Sequence, residues 1–134
     1  MNSPRDSNPA TEQIRYLAAF DLIKTKQFDK AVTAMQSFTN DYPNGGYTAN
    51  AHYWLGELYM TQKDYPNAIT HFDTVLKQFS SSSKSASSLL KTGYALAASG
   101  KKQEAILRLK QVVKNYPDTN TARLAKEKLI SLNR

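Results

Sequence analysis

Histidine is the side chain best suited to move a proton or hold a metal at neutral pH, and this chain has two, His52 and His71. Neither stands beside a cluster of carboxylates or cysteines of the kind a metal needs. No HExxH, phosphate-cradling glycine loop, paired carboxylates or serine–histidine–acid arrangement accompanies them. The absence of cysteine removes thiolate and disulfide chemistry. The run Ser80–Ser83 reads as a turn ahead of a helix. No catalytic residue, metal or cofactor is expected, and the protein is read as a non-enzyme.

Recognition chemistry is better supplied. Tyr16, Phe20, Tyr53, Trp54 and Tyr94 are large rings able to grip a partner and offer hydroxyl or indole donors. Asn50, Glu57, Leu90 and Lys91 fall in the same phase. A second cluster, Lys110, Lys114 and Lys126, belongs to a basic C-terminal face that aromatic residues do not interleave, which argues against single-stranded nucleic acid. No nucleic-acid partner is expected. An acidic or nucleic-acid partner on that face is the alternative.

The elements that position these residues follow from an internal repeat with a shift of 37. Ala31, Ala68 and Ala105 align; so do Ala19, Gly56 and Gly93, and the endings Tyr42-Pro43, Phe79-Ser80 and Tyr116-Pro117. Apolar residues recur at helical spacing, as in Phe28, Ala31, Val32, Met35 and Phe38. The pattern predicts helices near 11–25, 28–41, 48–62, 65–79, 84–99, 102–115 and 120–132. Asp64 should cap the fourth and Gly100 close the fifth.

The expected architecture is all-α: three tetratricopeptide-like helix pairs (about 12–48, 49–85 and 86–119) plus a capping helix at 120–132, in a right-handed α-solenoid. Residues 11–134 form this domain. The polar, proline-broken stretch 1–10 is expected to be a disordered linker or an artificial start. The period exceeds the usual 34 residues by three, which longer turns at 43–48, 80–85 and 117–120 would absorb. In such a stack the first helices line the concave side, so Tyr16, Phe20, Asn50, Tyr53, Trp54, Glu57, Leu90, Lys91 and Tyr94 are assigned to a partner-binding groove.

Composition agrees. With 134 residues, 40% hydrophobic and 22% charged, the chain can bury one core, and no apolar run is long enough for a bilayer. The net charge of +7 is uneven. Residues 1–80 hold seven Lys/Arg against eight Asp/Glu, and residues 81–134 hold eleven against three. Such asymmetry favours an acidic partner.

The stretch Tyr42–Tyr59, above all Asn50-Ala-His-Tyr-Trp-Leu-Gly56, together with Tyr65-Pro-Asn-Ala68, Leu90-Lys-Thr-Gly93 and Val112–Pro117, resembles the C-terminal tetratricopeptide domain of the Tol-Pal-associated YbgF/CpoB family of cell division coordinators. The resemblance covers about residues 14–132. It implies a periplasmic protein that binds TolA and couples outer-membrane constriction to the septal peptidoglycan synthesis machinery. It also implies a full-length protein made trimeric by a coiled coil, and a signal peptide, neither of which is expected within these 134 residues. Phe79-Ser80 departs from the family's Tyr-Pro and should alter a turn only. A scaffold like the outer-membrane assembly lipoprotein BamD is the alternative within binding proteins, although it lacks the Tyr-Trp-Leu-Gly phrase.

Overall fold

The computed structural model describes residues 8–134, which contain α1 (Pro9–Lys24), α2 (Phe28–Asp41), α3 (Thr48–Thr61), α4 (Tyr65–Gln78), α5 (Ser85–Ala98), α6 (Lys102–Asn115) and α7 (Asn120–Leu132). The expected linker falls mostly on residues 1–7, outside the described residues. Its positions 9 and 10 are helical. Asn8 caps α1 by accepting from the Ala10 amide at 2.9 Å, and Pro9 sits in the first turn, where an N–H is not needed.

Fourteen-residue helices separated by three residues within a pair and six between pairs account for the 37-residue period. The three-residue turns are all of one kind. Lys26, Lys63 and Gly100 take φ of 61°, 60° and 85°. The next amide then reaches back to the same carbonyl each time: Gln27 to Leu22 at 2.8 Å, Asp64 to Tyr59 and Lys101 to Leu96 at 2.9 Å. This satisfies carbonyls that the helix end would orphan. The six-residue turns use a buried hydroxyl instead. Thr48 donates to the Tyr42 carbonyl, and Ser85 donates to those of Phe79 and Ser80 at 3.1 and 3.0 Å. Asp64 accepts from the Asn67 amide to cap α4, as expected; Thr119 accepts from the Ala122 amide to cap α7.

Packing follows the small residues. Ala31, Ala68 and Ala105 have no exposure, and Gly56 and Gly93 face Phe72 and Leu109 across their own pairs. First helices also bury a second side against the preceding pair. Thr48, Ala51 and Leu55 in α3, Ser85, Ser88 and Thr92 in α5, and Ala122 and Ala125 in α7 occupy one register. In α1 that register holds Ile14, 67% exposed, because no pair precedes it among the described residues. Helix α7 therefore stacks as a further first helix, completing a right-handed α-solenoid.

Candidate partner-binding groove

A first helix that is buried on two sides keeps only a narrow strip for a partner, and this sorts the expected groove residues. Tyr16, Tyr53 and Leu90 lie beneath the surface, at 6%, 8% and 3% exposure. Tyr16 lies 4.9 Å from the Tyr47 ring and edge-on to Phe38, Tyr53 packs on Phe72, and Leu90 joins Leu109 and Val112. Their placement in the groove is corrected: they support it from below. Phe20, Asn50, Trp54, Glu57, Lys91 and Tyr94 are half-buried and form the strip itself.

Two features organise the strip. Phe20 and Trp54 bring α1 and α3 together with ring centroids 5.2 Å apart. Ammonium groups then lie against the rings: Lys24 over Phe20, Lys84 over Tyr53 and Trp54 at 4.9 and 5.5 Å, and Lys91 and Lys128 over Tyr94 at 5.9 and 5.8 Å. The roles of Lys24, Lys84 and Lys128 here were missed in the sequence, because they sit at helix ends or on the last helix, outside the first-helix phase. Between these groups, Ile23, Phe28, Trp54, Met60 and Lys91 line a hollow of about 440 Å³.

Glu57 is the fixed acceptor of this surface. Its Oε2 accepts from Lys91 Nζ at 3.1 Å and, at 3.4 Å, from the Tyr53 hydroxyl. Burial, then the Glu57 charge, push the Tyr53 phenol up to about 12, so it remains a donor. Burial also pushes Tyr16 up, opposed by hydrogen bonds from Trp54 and Asn50. Both tyrosines thus lie beneath half-buried residues of the strip. The ion pair is about a quarter exposed and adds little stability of its own, roughly 0–1 kcal/mol.

Lys110 and Lys114 on α6 and Lys126 on α7 are exposed and away from this strip, and no carboxylate pairs with them among the described residues. The two histidines, by contrast, come together. His52 Nδ1 and His71 Nδ1 are 3.0 Å apart while the ring centroids are 5.3 Å apart. The difference is about one ring diameter, so the nitrogens point at each other, one donating and the other accepting. Burial, then the neighbouring His71, lower His52 to about 4, and burial lowers His71, so both are neutral at pH 7. Tyr59 stacks on His71 at 5.6 Å. No third His, Cys, Asp or Glu joins the pair among the described residues.

A stack of helix pairs presenting an aromatic and cationic strip on its first helices is a protein-interaction scaffold. The chain belongs to the tetratricopeptide repeat family, whose patterns match residues 14–45 and 47–118. Its curated relatives include the cell division coordinator CpoB of Pseudomonas putida, 50% identical over 62 residues, which are 46% of this chain and 23% of that protein. CpoB of Escherichia coli is 46% identical over 44 residues, covering 32% and 17%. The chain thus spans less than a quarter of the length of these relatives. Among solved structures, the second repeat domain of human RPAP3, in complex with an HSP70 peptide, matches 95% of this chain and 99% of that one, at a TM-score of 0.77 and 15% identity. The Arabidopsis OM64 repeat domain covers 92% and 98% at a TM-score of 0.71 and 17% identity. At such identities these two establish the fold. No helix among the described residues is long and apolar enough to cross a membrane.

Proposed function

We propose that the first-helix groove holds a segment of TolA in the periplasm, and that the chain is a non-catalytic module of cell division. In this reading it links outer-membrane constriction to septal peptidoglycan synthesis. The observation that carries the groove is the Phe20–Trp54 contact with Lys84 above it, an ordered apolar and cationic surface beside an open hollow. The identity to CpoB proteins, named as cell division coordinators, supports the pathway. Phe20 and Trp54 would anchor apolar side chains of the partner, while Asn50 and Glu57 would fix its backbone or basic groups.

The test is a titration with the periplasmic part of TolA, followed through the fluorescence of Trp54, the only tryptophan, at low and moderate salt. A saturable change that persists in salt is the expected result. No change, with no heat in calorimetry, removes TolA and the groove from the account.

A further inference from the structure

The repeat provides its own control for a second surface, on the side formed by the second helices. At the first junction, Gln36 of α2 donates to the Tyr59 hydroxyl at 2.6 Å, and the Tyr59 ring covers His71. One period later the same positions hold Asp73, Leu96 and Arg108. Arg108 pairs with Asp73 at 3.1 Å, and Leu96 lacks the reach of a tyrosine. The second junction is consequently hollow. A cleft of about 520 Å³ opens between α4 and α6, floored by Tyr65, Ile69 and Leu96. That volume suits a bulky side chain or a small ligand.

The brim of the cleft has changed as well. Leu107 stands where the first two repeats carry Thr33 and Thr70, and it is 63% exposed. Lys101 and Glu104 both line the cleft, and Lys102, Lys110 and Lys114 lie along α6 outside its lining. Arg108 is already committed to Asp73 and Glu104 offsets Lys101, so the uncompensated charge sits on the exposed lysines beside the cleft.

We infer that this cleft is a second docking site, taking an acidic segment of a partner protein that inserts one large apolar side chain beside Leu107 and sets carboxylates against Lys101, Lys110 and Lys114. The apolar floor needs an aliphatic or aromatic anchor, and the lysine row needs negative charge on either side of it. Nucleic acid fits poorly, because Tyr65 is the only ring lining the cleft and stacking platforms are absent. The site is separate from the first-helix groove and stands whether or not that groove binds TolA.

The experiment uses the full chain and a labelled short peptide with one phenylalanine flanked by glutamates, read by fluorescence anisotropy. Leu107→Thr restores the residue of the other two repeats at an exposed position, so the fold should persist, which circular dichroism checks. Expected are binding about tenfold weaker for Leu107→Thr, the factor for losing one buried aliphatic side chain. A similar loss is expected when the peptide's phenylalanine becomes alanine, and a shallower salt dependence for Lys110→Gln with Lys114→Gln. The inference is overturned if Leu107→Thr binds as the parent does. It is equally overturned if the alanine peptide or a single-stranded oligonucleotide binds as tightly, since charge alone would then suffice.

Discussion

Gly56 of α3 lies directly over the ring edge of Phe72 in α4: a Cβ built on the glycine falls inside the van der Waals envelope of the phenylalanine. Phe72 has no exposure and packs beside Tyr53, Ala68 and Val75, so its ring cannot move aside cheaply. Gly56→Ala should gain about 1 kcal/mol of helix propensity and lose about 1–3 kcal/mol to overpacking. A net destabilisation is expected in urea unfolding. Gly93→Ala should be destabilising too, because a Cβ there meets Leu109 at 2.7 Å and Leu109 likewise has no exposure.

Lys26, Lys63 and Gly100 share one left-handed position, but only the third repeat fills it with the residue suited to it. A side chain with φ near 60° carries strain that glycine avoids. Lys63→Gly should therefore stabilise the fold by about 0.5–1 kcal/mol, and Gly100→Ala should destabilise it by about 1 kcal/mol. Thermal unfolding of the two variants should move in opposite directions. A loss in both would mean that the lysine side chain, and not the backbone, governs the turn.

In the His52–His71 hydrogen bond one Nδ1–H donates and the other Nδ1 accepts, and a further proton would charge the pair where burial disfavours charge. His52 is lowered from 6.5 to about 4. Its unfolded state therefore binds more protons than the folded state between those values, and stability falls as pH drops through 6.5. The loss levels off near pH 4, where the folded form also protonates. For His52 it should reach about 2 kcal/mol between pH 7 and pH 5. Chemical denaturation at both pH values measures it. His52→Gln should flatten the dependence, and an unchanged slope in that variant would assign the effect to other groups.

Helix boundaries were legible to within about two residues because the repeat marks both ends of every pair, with small residues where helices touch and turn residues at fixed offsets. Burial of Tyr16, Tyr53 and Leu90 was not. A first helix packs against its own second helix and against the preceding one. Two buried sides and one exposed strip then blur into a nearly continuous apolar pattern. Trp54 is half-exposed while Tyr53 and Leu55, its neighbours, are buried. That difference of one residue is about 100° of helix rotation, less than periodicity alone can resolve. The histidine contact is set by repeat register. The equivalent residues are Arg15 and Ala34 in the first repeat and Leu89 and Arg108 in the third, so the other copies give no hint of a pair.

The sorting of buried from exposed rings decides how the groove should be tested. Tyr53→Ala would empty a space beside Phe72 and confuse binding with stability, whereas Phe20 and Trp54 are half-exposed and contribute less to the core. Phe20→Ala and Trp54→Ala should each weaken the proposed TolA binding by about 2 kcal/mol, the scale of an aromatic hot spot, with helicity retained. Tyr53→Phe keeps the packing and removes only the hydrogen bond to Glu57, so it should weaken binding slightly, and only if Glu57 touches the partner. Lys84→Gln should lower affinity at low salt and matter less at high salt, because its charge lies near the surface over Trp54. Calorimetry is the readout, since Trp54→Ala removes the fluorophore. If the Phe20→Ala, Trp54→Ala double variant is helical and binds with unchanged affinity, the first-helix strip is not the TolA site.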